Sequence, residues 1–309
     1  MPRLPESPRR RRFLIGVAGL AAGGWLSPAI SLPQTIRTRP IPCSGERVPV
    51  IGMGTWQTFD VGDDPELVTA RSRVLKTFFA LGGGMVDSSP MYGSSEQVIG
   101  ECREILGDDA GLFSATKVWT HGRWLGTRQM QRSQRLWGLP HFDLIQIHNM
   151  LDWETHLETL KAWKAEGRIR YIGITTSHGR RHEALARALE RENFDFVQFT
   201  YNVLDREAEQ RLLPLAAERG IAVIINRPFR RGDLFNHVRD KPLPAWANEF
   251  DCGNWAQFFH NIIVSHPAVT LAIPATTRVD HMQENMGAGF GRLPEPSMRQ
   301  RMAAYMEDL

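Results

Sequence analysis

Eight apolar, strand-length runs punctuate this chain, with helix-spaced stretches between them. That alternation restricts the fold more than any other feature. The first run lies in Val48–Trp56, a short strand ending in a glycine-rich turn. The others are Met85–Asp87, Leu112–Val118, Phe142–His148, Ile169–Thr175, Phe194–Phe199, Ile221–Ile225 and Val269–Ile273. Between the first two, Leu67, Val68, Val74, Leu75, Phe78 and Phe79 recur at helical spacing over Pro65–Leu81. Further helices are expected over 94–106, 127–136, 154–166, 182–191, 207–219, 255–264 and 280–286. A long irregular insert with Pro228, Gly232, Pro242 and Pro244 follows the seventh run. Strands that alternate with helices predict a parallel sheet, and eight of them predict an α/β fold closed as a (β/α)8 TIM barrel.

The N-terminus reads differently. Arg9–Arg12 lead into an uncharged run from Phe13 to about Ile30 that is too rich in glycine to span a membrane well. A basic segment, a short apolar segment and small residues near Ala29–Ile30–Ser31 describe a signal peptide. Arg10–Arg11, followed by Arg12, Phe13 and Leu14, resembles the bacterial twin-arginine export signal. We therefore expect a signal over residues 1–31, a barrel domain over 32–309, and a periplasmic or secreted protein handled by the twin-arginine machinery. Five arginines against Glu6 give the leader +4, so the whole chain's +3 leaves −1 for the body. Bulk charge thus makes no case for nucleic acid or an anionic membrane. Cys43, Cys102 and Cys252 are too few and too scattered for a zinc site or a disulfide framework, and no metal site is expected. The body is expected to act as a monomer.

Strand ends carry the chemistry in such barrels. Asp87 ends the second run and Tyr92 follows in its loop, Lys117 sits at the end of the third, and His148 ends the fourth. Four polar residues from three adjacent strands therefore converge on one rim. A free phenol, with a pKa of about 10, is a poor acid near neutrality. A neighbouring ammonium favours the phenolate and eases proton release, and Asp87 would hold that ammonium in place. A neutral His148 would hydrogen-bond a carbonyl oxygen beside the phenol. The set suits protonation of an alkoxide as it forms, which hydride reduction of a carbonyl requires.

The order of these pieces resembles the aldo-keto reductase family over about Val48–Asn285. The matching segments are Val48–Trp56, Asp87–Gly93 with Glu96, Thr116–Lys117, Asp143–His148, Tyr171–Thr175, Val197–Phe199, and Ile273–Thr276 leading to Glu284–Asn285. The resemblance implies a barrel enzyme that binds NADP(H) without a Rossmann domain, with NAD(H) as the alternative dinucleotide, and that acts on a small carbonyl substrate. It carries a catalytic tetrad onto Asp87, Tyr92, Lys117 and His148, with Tyr92 as the acid.

The resemblance also places cofactor contacts. Gln198 would bond the nicotinamide carboxamide, with Thr175 and Thr176 standing where the family usually has Ser and Asn. Asn226 replaces a frequent stacking tyrosine, and Pro228 and Phe229 continue that loop. Gly54, Thr55, Trp56 and Ile273 complete the expected lining. Thr276, Arg278 and His281 would hold a 2′-phosphate, although Ala275 and His281 replace a common lysine and arginine. Glu284 and Asn285 would meet the adenine. Trp56, Trp119 and Phe229 would line the substrate pocket, made more polar by Asn149. The rival expectation is a non-catalytic protein of the same fold that keeps the dinucleotide as a structural or sensing ligand.

Overall fold

The computed structural model describes residues 35–107, 111–177 and 179–309. The signal reading and its boundary at residue 31 lie outside the described residues. Eight parallel strands succeed one another in sequence order: β3 (Met53–Gly54), β4 (Met85–Asp87), β5 (Phe113–Val118), β6 (Phe142–Ile147), β7 (Ile169–Thr175), β8 (Phe196–Thr200), β9 (Ala222–Asn226) and β10 (Leu271–Ala272). A parallel bridge between Ile51 and Ala272 joins the last strand to the first. Gly52 N donates to Ala272 O (2.8 Å) and Ala272 N to Val50 O (3.0 Å), so the barrel closes.

Helices α1 (Pro65–Ala80), α2 (Ser95–Leu106), α3 (Arg123–Trp137), α4 (Trp153–Ala165), α5 (His182–Arg191), α6 (Leu212–Glu218), α7 (Asp233–His237), α8 (Trp255–Val264) and α9 (Val279–Gly287) occupy the connections. Helix α1 starts where its chemistry says it should. Asp64 caps it, accepting from Glu66 N (2.9 Å) and Leu67 N (3.1 Å), and Pro65 fills the first turn. Its apolar stripe, with Val74, Leu75 and Phe78 essentially inaccessible, packs on the barrel wall.

Several features depart from the sequence reading: α3 starts four residues before the expected helix, and α7 lies inside the insert read as irregular. The run Val48–Trp56 divides. Val48 and Pro49 belong to β2 (Arg47–Pro49), which pairs antiparallel with β1 (Thr38–Pro40), whereas Met53–Gly54 joins the barrel. The expected helix over 207–219 begins as a 3-10 turn (Glu207–Glu209) before α6. A last helix, α10 (Pro296–Glu307), lies beyond the final expected one and buries Met302, Ala303 and Met306.

Inward-facing residues alternate along every strand. Near the strand starts they are apolar: Met85, Phe113, Leu144, Tyr171, Phe196 and Leu271 form one cluster, sealed by Ile41 and Val48 of the hairpin. Near the strand ends they are polar: Asp87, Lys117, Gln146 and Gln198, all buried. Gly173 makes room in this upper layer, since a Cβ there would come within 2.8 Å of Gln146 Cγ.

Candidate active site

Asp87 organises the polar layer. Its Oδ2 accepts from Lys117 Nζ (2.5 Å), and Lys117 also donates to the Ser88 carbonyl (2.8 Å). Its Oδ1 accepts from Gln146 Nε2 (2.7 Å) and Gln198 Nε2 (3.2 Å). Both carboxylate oxygens are thus committed, and the acid acts as an anchor. Burial lowers the proton affinity of Lys117, while Asp87 and then Glu96 oppose that shift.

Tyr92 stands above this pair. Lys117 Nζ lies 5.2 Å from its ring centroid, and the His148 imidazole meets the ring edge-on at 5.7 Å and 85°. Its loop is rigid for local reasons. Tyr92 N donates to Ser89 O (2.9 Å), and Asp60 Oδ1 accepts from Ser94 N (2.9 Å) and Ser94 Oγ (3.0 Å). Gly93 has φ +58, and the Asp60 carboxylate fills the space a Cβ would need. Behind the loop, the buried Glu96 accepts from Thr116 Oγ1 (2.5 Å), Ser133 Oγ (2.8 Å) and Trp137 Nε1 (3.3 Å), bolting α2 to β5 and α3.

The electrostatics correct one expectation. The Tyr92 phenol is not made more acidic here: burial, and after it the Asp87 charge, push its pKa up. Asp87 already neutralises the Lys117 ammonium at contact distance, so burial dominates at the phenol. The hydroxyl therefore stays protonated, a stored proton for a base stronger than water. His148 follows expectation. Burial, and then Lys117, hold its pKa well below 6.5, so the imidazole is neutral.

The expected cofactor residues scatter around the same mouth. Gly54 ends β3 and donates to Pro274 O (2.8 Å); Thr55 Oγ1 donates to Asp87 O (3.0 Å). Trp56 is half-buried beneath the Arg231 guanidinium, 4.3 Å from its ring centroid. Thr175 Oγ1 accepts from Asn149 N (3.2 Å). Asn226 Nδ2 donates to Thr176 O (2.8 Å) and approaches Gln198 Oε1 (3.4 Å), while Thr200 Oγ1 donates to Asn226 Oδ1 (2.9 Å). Pro228 and Ile273 are buried. Thr276 Oγ1 accepts from Arg278 N (3.2 Å). Arg278 is turned toward Asp280, donating from Nε at 2.9 Å, and both are exposed. His281 and Glu284 are exposed, and Asn285 is buried. Trp119 is exposed on a turn fixed by Gln129, which accepts from Trp119 N (2.6 Å). Phe229 packs against Phe235 (4.8 Å) and against His260 of α8 (4.7 Å).

Two residues of the network escaped the sequence reading. Gln146 shares the inward parity of Leu144 and His148, which is the one signal that marks it. Ser89 is fully buried with its hydroxyl 2.9 Å from His148 Nδ1, and nothing in the sequence singles it out from Ser88.

With this geometry in place, a family model described as "Aldo/keto reductase family" matches residues 50–305. This chain belongs to the aldo/keto reductase family. Among curated relatives of this aldo/keto reductase, an uncharacterised oxidoreductase of Schizosaccharomyces pombe is 28% identical over 262 residues, 77% of this chain and 78% of that protein. The NADH-specific methylglyoxal reductase of Escherichia coli is 26% identical over 238 residues, covering 64% and 68%. Among solved structures, an aldo-keto reductase from Klebsiella pneumoniae in complex with NADPH superposes with a TM-score of 0.72 at 21% identity. It covers 88% of this chain and 95% of that one, a likeness that supports the barrel fold.

Proposed function

We propose that this aldo/keto reductase reduces a small aldehyde or ketone with a nicotinamide dinucleotide, Tyr92 giving the proton. The observation that carries the reading is the joint placement of Asp87, Tyr92, Lys117 and His148 at the barrel mouth. The residues present fit a dinucleotide. The Thr176 hydroxyl is buried with no partner among the described residues, beside the Gln198 and Asn226 amides, where a carboxamide would satisfy it. Gln198, Asn226 and Thr176 would hold that end, Thr276 and Asn285 the other.

When bound, the dinucleotide supplies the hydride that adds to the carbonyl carbon. The carbonyl electron pair then moves onto oxygen. His148 hydrogen-bonds that oxygen, and the Tyr92 O–H bond breaks toward it. The phenolate left behind has the Lys117 ammonium 5.2 Å from its ring centroid, Asp87 holds that ammonium in place, and burial makes the phenolate a strong base that is readily reprotonated.

We favour NADP(H), the ligand of the Klebsiella structure, with NAD(H) as the alternative that the Escherichia coli relative's name points to. We also propose that the leader directs export by the twin-arginine route to the periplasm and that the mature protein is a monomer. Fluorescence titration with NADPH and NADH, followed by single-turnover reduction of a carbonyl panel, tests the main reading. Quenching by a dinucleotide with turnover lost in Tyr92→Phe is expected. Tight dinucleotide binding without turnover by wild type would favour the non-catalytic alternative.

A further inference from the structure

Neutral imidazole has one donor nitrogen and one acceptor, and the partner of one nitrogen decides the role of the other. His148 Nδ1 faces Ser89 Oγ at 2.9 Å, both residues being buried at the barrel mouth. The serine oxygen already accepts from Met91 N (3.3 Å). Among the described residues, its hydroxyl proton has one acceptor within reach, His148 Nδ1. The opposite assignment, Nδ1–H donating to Oγ, would leave a buried O–H without an acceptor. A lost bond of that kind disfavours an arrangement roughly five- to a hundredfold. His148 Nε2 bonds no described residue and is not closed off from solvent. The Ser89 carbonyl meanwhile receives the Tyr92 backbone N–H (2.9 Å), so one serine touches both groups that face the substrate.

We propose that Ser89 is a positioning residue that locks His148 in the Nε2–H tautomer, so that the imidazole presents a donor to the carbonyl oxygen beside Tyr92. This rests on the reductase reading, because a donor at Nε2 matters only if an oxygen arrives there. Without the serine hydroxyl the proton can move to Nδ1, and Nε2 then presents a lone pair that repels the carbonyl oxygen.

The test is long-range 1H–15N correlation on the 15N-histidine-labelled protein, with His148 assigned by its loss in His148→Gln. Wild type should show His148 as a single Nε2–H tautomer. Ser89→Ala should give a mixture, with kcat/KM for a carbonyl substrate down roughly tenfold and the NADPH dissociation constant unchanged. Ser89→Thr, which keeps a hydroxyl, should restore both. A wild-type Nδ1–H tautomer, or a Ser89→Ala spectrum and kcat/KM equal to wild type, overturns the proposal. If Ser89→Ala fails to fold, the wild-type spectrum alone decides. An Nε2–H signal in a protein that reduces no carbonyl leaves the tautomer assignment standing and removes the reductase reading.

Discussion

The floor and the mouth of this barrel are built from the same strands, a few residues apart, and are opposites. At the floor, Phe113, Tyr171 and Phe196 pack ring on ring, with centroids 5.5–6.0 Å apart. The one hydroxyl there is satisfied, Tyr171 donating to Glu46 Oε2 (2.6 Å), and the hairpin covers the end. At the mouth, a buried ammonium, a carboxylate and three amides share one layer, and the Ser88 and Thr176 hydroxyls have no partner among the described residues. Backbone geometry divides the same way. All nine non-glycine residues with positive φ among the described residues follow the C-terminal ends of β3, β6 or β9; Asn149, Met150 and Asp152 come directly after His148. Each such residue costs about 1–3 kcal/mol that the rest of the fold must offset. The contrast teaches that apolar packing is concentrated at one end of the barrel, and buried polar groups and strained backbone at the other.

Substitutions at the two ends should therefore separate activity from stability. At the mouth, Tyr92→Phe should cut carbonyl reduction by about 10²–10⁴-fold while leaving the melting temperature near wild type; equal single-turnover rates would remove the division of labour. At the floor, Phe196→Ala should lower stability by about 3–5 kcal/mol in urea titration, with dinucleotide affinity retained. A floor that tolerates this change would not be the stabilising end.

Asp87→Leu tests the mouth's own internal balance. It should cost about 3–5 kcal/mol, because it strands the Lys117 ammonium, and Asp87→Leu with Lys117→Met should recover most of that loss. Recovery would show that the charged pair is kept for chemistry and not for stability. A double variant as unstable as the single one would argue the reverse.

Acid provides a milder probe. His148 is held well below its ordinary pKa, and His260, enclosed in α8, is pushed down to about 3 by burial. The unfolded chain takes up these protons below about pH 6.5 and the folded chain refuses them. Stability should be complete above that pH and fall below it, by up to about 1.4 kcal/mol per pH unit for each group. Urea midpoints at pH 7.5 and 5.5 measure this, and His260→Gln should flatten the slope. The smallest effect belongs to the floor's rim. Arg170→Met, which removes the pairs to Asp143 (2.7 Å) and Glu46, should cost no more than about 1 kcal/mol and be insensitive to dinucleotide.

Strand order, the parallel arrangement, the three residues at strand ends and the phenol in the loop after the first of them were legible because they depend on local signals. An apolar run of a given length followed by a helical period places its C-terminal end on the face where barrel chemistry is built, whatever its neighbours do. The hairpin was illegible for a related reason. Val48 and Ile51 look alike in sequence, yet only pairing with Thr38–Pro40 assigns Val48 to the plug and leaves Ile51 to close the barrel. The phenol's electrostatics were misjudged because the sequence named its charged neighbours but not the depth of its burial, which is the larger cause of the upward shift.

By itself, then, the sequence determined an eightfold strand–helix repeat and the identity of an acid, a lysine and a histidine at three successive strand ends, with a phenol in the loop after the first. Tertiary structure alone decided which oxygen of Asp87 meets Lys117 and which meets Gln146, and that Ser89, not Ser88, reaches the imidazole. The Gln146 and Ser89 contacts each join residues 59 positions apart. Such bonds depend on strand register and barrel closure, which are set by the packing of the whole wall and not by any stretch of chain read alone.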